Sequence, residues 1–129
     1  MPEANSMKIL LVDDQQSMRG LGRQCLDRLG IKQVMAVSSA EAAIGELQKS
    51  RFDVIISDQN MEGMSGIELR QKIRAHPVLK KTPFILATSE AGKRDEFDSA
   101  GNEDDKFVSK PYSAADLRNA LEALVGTLQ

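Results

Sequence analysis

The stretch Phe52-Asp53-Val54-Ile55-Ile56-Ser57-Asp58-Gln59-Asn60-Met61 holds a short β-branched run that ends on a carboxylate. Val54 to Ile56 has the composition of a strand buried on both faces, and Asp58 stands where that strand leaves the sheet. Three other apolar runs finish in the same manner. Lys8 to Val12 runs into Asp13-Asp14, Pro83 to Ala87 into Thr88-Ser89, and Lys106 to Ser109 into Lys110-Pro111. If these strands are parallel, their polar ends share one edge of the sheet. That carboxyl edge is where open α/β sheets bind ligands. The expected site is therefore an acidic pocket of Asp13, Asp14 and Asp58, flanked by the Thr88 hydroxyl and the Lys110 ammonium.

The connecting segments read as helices. Met18, Leu21, Gly22, Cys25, Leu26 and Leu29 recur at helical spacing and Gly30 closes the run. Cys25 on that apolar stripe reads as a core residue rather than a reactive thiol. Gln33 to Val37 is a weaker strand ending only in Ser38-Ser39. Ser38 with Glu41, Ser65 with Glu68, and Ser113 with Asp116 have the three-residue spacing of capping boxes or their close relatives. The helices they open carry Ala40, Ala43, Ile44 and Leu47, then Leu69 and Ile73, then Leu117, Ala120, Leu121, Leu124 and Leu128 toward the core. His76-Pro77 ends the third helix, because the residue before proline is pushed out of the α region. A short, loosely docked helix is expected within 91–101, followed by Glu103-Asp104-Asp105 as a solvated acidic turn. Strands alternating with helices predict one α/β domain, a parallel sheet covered on both faces. The domain is expected over residues 7–129, behind a flexible tail at 1–6.

Composition narrows the function classes. The 129 residues carry a net charge of −2, which gives no general attraction to nucleic acid or anionic membrane. One cysteine excludes an internal disulfide. No apolar run approaches the roughly 20 residues of a membrane span, and the polar start lacks a signal-peptide core. A cytoplasmic protein is expected.

The pocket has its own chemistry. Three carboxylates at one site repel, and without a cation one is driven toward protonation. An oxygen-only, carboxylate-rich site open to water suits Mg²⁺, which keeps several waters and bridges to phosphate. Asp58 would then be both a metal ligand and a nucleophile, since carboxylates attack phosphoryl donors to form aspartyl phosphates. Lys110 would add positive charge and Thr88 a hydrogen-bond donor. Taken singly, each residue has an ordinary reading as a turn, cap or loop residue. The ordered set of acid, acid, hydroxyl and base at four strand ends is hard to obtain by coincidence.

Asp13-Asp14, Asp58-Gln59-Asn60-Met61, Thr88 and Lys110-Pro111 resemble, in order and spacing, the receiver domains of two-component response regulators, in particular the single-domain CheY-like type used in chemotaxis. The resemblance covers nearly the whole chain from about Met7. It implies a flavodoxin-like (βα)5 three-layer sandwich with strand order 2-1-3-4-5. It implies that Asp58 accepts a phosphoryl group from the phosphohistidine of a sensor histidine kinase or a phosphotransfer protein. Asp14, Asp58 and the Asn60 backbone carbonyl would bind Mg²⁺ directly and Asp13 through water. Thr88 would bond a phosphoryl oxygen, Lys110 would pair with it, and the Lys110-Pro111 peptide would be cis. Phe107 would be the aromatic switch, turning into the space that Thr88 vacates, with residues 90–112 changing shape and partner affinity. A downstream protein would read the face made by the fourth helix, fifth strand and fifth helix. The chain would be a monomer, and no turnover enzyme beyond its own phosphorylation and dephosphorylation.

Glu62 stands where the family often has proline, Phe107 where it often has tyrosine, and the fourth-helix segment is poor in core residues. Rival readings fit less well. A haloacid dehalogenase-like phosphatase wants an acid two residues after its nucleophile, where Asn60 stands. A flavodoxin-like cofactor binder wants a Ser/Thr/Gly phosphate loop after strand 1, where Asp13-Asp14 would repel phosphate. A relic serving only as a docking module would not need every pocket residue. Within the receiver reading, a phosphorelay intermediate, a phosphate sink and a receiver from a hybrid histidine kinase are the alternatives to a chemotaxis regulator.

Overall fold

The computed structural model describes residues 3–89 and 104–128. Five parallel strands form one sheet in the order β2-β1-β3-β4-β5: β1 (Lys8–Val12), β2 (Gln33–Val37), β3 (Val54–Asp58), β4 (Phe84–Thr88) and β5 (Asp105–Ser109). Four α-helices are described: α1 (Gln16–Arg28), α2 (Ala40–Lys49), α3 (Gly66–Ala75) and α4 (Ala114–Val125). The helix expected within 91–101 lies outside the described residues, as does Glu103. The architecture is the flavodoxin-like α/β sandwich the sequence implies. Among the described residues no helix is long and apolar enough to cross a membrane.

Side-chain alternation divides the sheet between two cores. Ile9, Leu11, Val54, Ile56, Ile85 and Ala87 face α1 and α4, meeting Cys25, Leu26, Leu117 and Leu121. Leu10, Val12, Ile55, Phe84 and Leu86 face α2 and α3, meeting Ala40, Ala43, Leu47, Leu69 and Ile73. Successive residues of a strand point to opposite faces, so a central strand covered on both sides must be apolar throughout. That is the reason β1, β3 and β4 read as unbroken apolar runs. The two outer strands show weaker patterns: β2 has no fully buried residue, and β5 is only partly buried.

The caps follow the sequence with one shift. Ser65 with Glu68 and Ser113 with Asp116 make reciprocal capping boxes. At α2 the cap is Ser39, whose hydroxyl accepts from the Ala42 amide at 3.0 Å. The S-x-x-E spacing pointed to Ser38; the extended backbone of Ser39 places the neighbouring hydroxyl over the first turn instead. His76, extended, ends α3 as expected.

One other expectation, for Asp105, is corrected. Before β1, Ala4–Ser6 forms a 3-10 turn, and Ala4 is buried in the core shared by α1 and α4. Its methyl lies 3.5 Å from the position a Cβ would take on Gly30, and the Gln33 side chain donates to the Asn5 carbonyl. A small apolar residue next to a glycine turn can pack where a polar tail could not. Asp105, expected on a solvated turn, is buried and opens β5. It pairs with two α3 guanidiniums, Arg70 at 3.3 Å and Arg74. The Arg74 guanidinium also donates to the Lys80, Thr82 and Asp104 carbonyls.

Candidate functional site

Strand register assembles the site. Val12 pairs with Ser57, so the next step along each strand sets Asp13 beside Asp58. Asp58 itself pairs with Ala87, and Thr88 with Ser109, one residue before Lys110. A parallel sheet thus converts four strand ends, scattered over about a hundred residues, into neighbours.

The carboxylates of Asp13, Asp14 and Asp58 each offer an oxygen within 4.8 Å of the others. Asp13 and Asp58 are buried, whereas Asp14 is exposed. The Lys110 ammonium lies 3.1 Å from Asp13 Oδ2 and 3.1 Å from Asp58 Oδ1. Beside these groups a cleft of about 340 Å³ is lined by Asp58, Asn60, Thr88, Ser89 and Lys110, with Gln15 and Met18 on its α1 side. Thr88 is buried, and its carbonyl accepts from the Lys110 amide at 3.1 Å. The Lys110-Pro111 peptide is cis. Phe107 lies apart from this group, half-buried on β5 and packed against the core facing α2 and α3.

Backbone donors hold the acids in place. The Gln15 amide donates to Asp13 Oδ1 at 2.9 Å, and the Arg19 guanidinium donates to the Asp13 carbonyl at 2.7 Å. The Glu62 amide reaches Asp14 Oδ2 at 3.4 Å, and the Gln59 amide donates to Asp58 Oδ1 at 2.9 Å. Gly66, the first residue of α3, allows that helix to sit directly on the β3 terminus. A Cβ there would stand 2.3 Å from the Asp58 carbonyl oxygen. Arg19 and Gln15 are not among the residues the sequence singles out, and Gln59 stands there only within the motif Asp58-Gln59-Asn60-Met61, without a task of its own. Gln59 could have been noticed as a polar side chain between a buried strand and a helix, but nothing in its spacing says what it bonds.

The charges conflict at this site. Burial, the largest influence, pushes the Asp58 carboxyl up, and the neighbouring Asp13 charge adds to it. The bonds from Lys110 and the Gln59 amide oppose the rise without cancelling it. For Lys110, burial favours the neutral amine, but bonds and charges from Asp58 and Asp13 together outweigh it and hold the ammonium above its usual range. Behind the site the Tyr112 phenol, buried against Gly22 of α1, is pushed far up by desolvation and stays neutral. A divalent cation among the three carboxylates would relieve the repulsion that one lysine leaves. The donor set, all carboxylate oxygen and partly exposed, is the set a hard cation prefers.

Comparison with known proteins agrees with this geometry. The response regulator receiver domain family matches residues 9–122. The chain is a response regulator receiver domain. Chemotaxis protein CheY-3 of Vibrio cholerae is 34% identical over 119 residues, covering 92% of each chain. Chemotaxis protein CheY of Pseudomonas aeruginosa is 35% identical over 92% of this chain and 95% of its own. Among solved structures, chemotaxis response regulator CheY4 of Vibrio cholerae superposes with a TM-score of 0.80 at 31% identity, covering 92% of this chain and 98% of that one. The receiver domain of a sensor histidine kinase from Pseudomonas aeruginosa PAO1 superposes with a TM-score of 0.81 at 26% identity, covering 94% and 98%. That structure is described with a magnesium ion coordinated in its active-site cleft. This receiver domain is therefore homologous to CheY chemotaxis regulators, and a phosphoacceptor role in two-component signalling follows from that membership.

Proposed function

We propose that this receiver domain takes its phosphoryl group on Asp58, from the phosphohistidine of a sensor kinase or phosphotransfer protein, and signals by a change in protein contacts. The observation that carries this reading is the convergence of Lys110 on Asp58 and Asp13 beside a cleft bordered by Thr88. In the step, an Asp58 carboxylate oxygen forms a bond to phosphorus and the phosphorus–nitrogen bond of the donor breaks. The imidazole leaves with that electron pair and is then protonated. Little covalent work is asked of the protein, so positioning and charge neutralisation dominate. Lys110, already drawn between two carboxylates, is available to pair with the incoming phosphoryl oxygens, and Thr88 can donate its hydroxyl to one of them.

Asp13, Asp14, Asp58 and the Asn60 carbonyl are the groups that would hold Mg²⁺, Asp13 through water. Bound there, the ion would neutralise charge on the carboxylates and the phosphoryl group. Phe107, half-buried rather than locked in the core, is suited to turn as Thr88 moves. Asn60 in place of an acid two residues after Asp58 favours a switch over a turnover phosphatase. A monomeric, cytoplasmic regulator whose downstream protein reads the β5–α4 face and the segment before it completes the reading.

The test is phosphorylation by acetyl phosphate in Mg²⁺, followed by intact mass. One added phosphoryl group is expected in the wild type and none in Asp58→Asn. Wild-type uptake in the Asn variant would remove Asp58 from the role.

A further inference from the structure

Gln59 is a buried polar residue to which the pocket chemistry gives no task. It is 4% exposed, beside the reacting carboxylate. Its side-chain Oε1 accepts from the Ile67 amide at 2.9 Å, and its carbonyl accepts from the Gly66 amide at 3.0 Å. Ile67 and Gly66 are the first two residues of α3, and their amides have no partner within the helix. The other two terminal amides are met within the capping box, Glu68 donating to the Ser65 hydroxyl and Ser65 to Glu68 Oε1. One residue of the β3–α3 loop therefore satisfies half of the helix terminus, an unusual task for a side chain seven positions before the helix starts.

The third group of Gln59 faces the other way. Its amide donates to Asp58 Oδ1 at 2.9 Å and to the Ala87 carbonyl of β4 at 3.3 Å. Lys110 also meets Asp58 at Oδ1. Two donors on one oxygen oppose rotation of the carboxylate, while Oδ2 has no hydrogen-bond donor among the described residues. The Gln59 amide can keep this aim only if its residue is held from the α3 side, and the two bonds to Gly66 and Ile67 do that.

We infer that Gln59 is a positioning residue for phosphoryl uptake: its anchorage on the first turn of α3 fixes the amide that orients the Asp58 carboxylate. The inference rests on the phosphoacceptor reading of Asp58 and adds a residue to it. Losing the side-chain acceptor frees the loop, and small misplacements of a reacting group cost rate steeply.

The experiment measures the rate constant of phosphorylation by acetyl phosphate at saturating Mg²⁺, together with half-saturation for Mg²⁺ and Ile67 amide exchange, for wild type, Gln59→Met and Gln59→Glu, well below the unfolding temperature. Gln59→Met keeps the length and loses the acceptor; Gln59→Glu keeps the acceptor. The expected result is a rate constant lowered about tenfold in Gln59→Met, faster Ile67 exchange, unchanged Mg²⁺ half-saturation, and recovery of most of the rate in Gln59→Glu. A folded Gln59→Met variant within twofold of wild type would overturn the inference, as would a Gln59→Glu variant as slow as Gln59→Met. If Gln59→Met does not fold, Gln59→Asn, too short to reach Ile67, carries the same comparison. Failure of the wild type itself to take up phosphoryl would instead remove the phosphoacceptor reading.

Discussion

At Asp58 the fold holds a carboxylate in the form it least favours. Its pKa lies above the ordinary 3.8, chiefly because it is buried. A group with a raised folded-state pKa contributes fully to stability below its unfolded value, and that contribution is lost as pH rises through the folded value. At pH 7 the ionised Asp58 therefore costs stability in the absence of a cation. Asp58→Asn is expected to raise the thermal midpoint at pH 7 in chelator, with the gain shrinking as pH falls through the raised folded value toward 3.8 and gone below it. Thermal unfolding from pH 3 to 8 checks the sign, and a lower midpoint for the variant at pH 7 would contradict it. The proposed function would give the arrangement a use: a carboxylate that is comfortable in isolation would gain little from a cation or a phosphoryl group, whereas here such ligands would relieve the strain.

Among elements, the junction of α3 with β5 is held by buried charge as well as by apolar contact. Asp105 is buried between Arg70 and Arg74, and Arg74 also ties down the loop from Lys80 to Thr82 and the Asp104 carbonyl. Removing one partner of a buried ion pair leaves the other charge desolvated, typically a loss of about 3–5 kcal/mol. Asp105→Asn is accordingly expected to destabilise the domain by that order in urea unfolding, far more than the ~0.5 kcal/mol of an ordinary surface change. β5 carries Phe107 and runs into Lys110, so this junction also sets where those two residues sit. The acidic run preceding β5 looked like solvent-facing charge because no local pattern links residue 105 to residues 70 and 74. Only the β4–β5 pairing, with Phe84 opposite Asp105, brings them together.

For the whole molecule, binding at the carboxyl edge should report on the entire fold. A ligand that binds only the folded chain adds RT ln(1 + [L]/Kd), about 2.7 kcal/mol at a hundredfold excess over Kd. Mg²⁺ is expected to raise the thermal midpoint of the wild type, and EDTA to reverse it. Asp14→Asn is expected to abolish the shift while leaving the metal-free midpoint nearly unchanged, because Asp14 is exposed and bears little of the burial cost. Calorimetry in the presence and absence of the ion measures both. An equal Mg²⁺ shift in wild type and Asp14→Asn would place the ion elsewhere.

The sequence by itself determined the strands, the parallel α/β layering, two of the three side-chain caps as read, and the polar residues at the strand ends. Each of these rests on a local signal: the period of apolar residues, a three-residue cap spacing, or the break from apolar to polar. The family resemblance then supplied the strand order, and it implies the roles proposed for the site residues. Tertiary structure alone decided the distances at which Lys110 meets Asp13 and Asp58, that Asp105 is buried between two arginines, and that Gln59 anchors α3. It also decided that Ala4 joins the core and that Ser39 rather than Ser38 caps α2. Most of these are contacts between residues far apart in the chain, fixed by strand register and helix docking. Such contacts leave no periodic trace along the sequence, because the partner that gives each side chain its task is chosen by the fold.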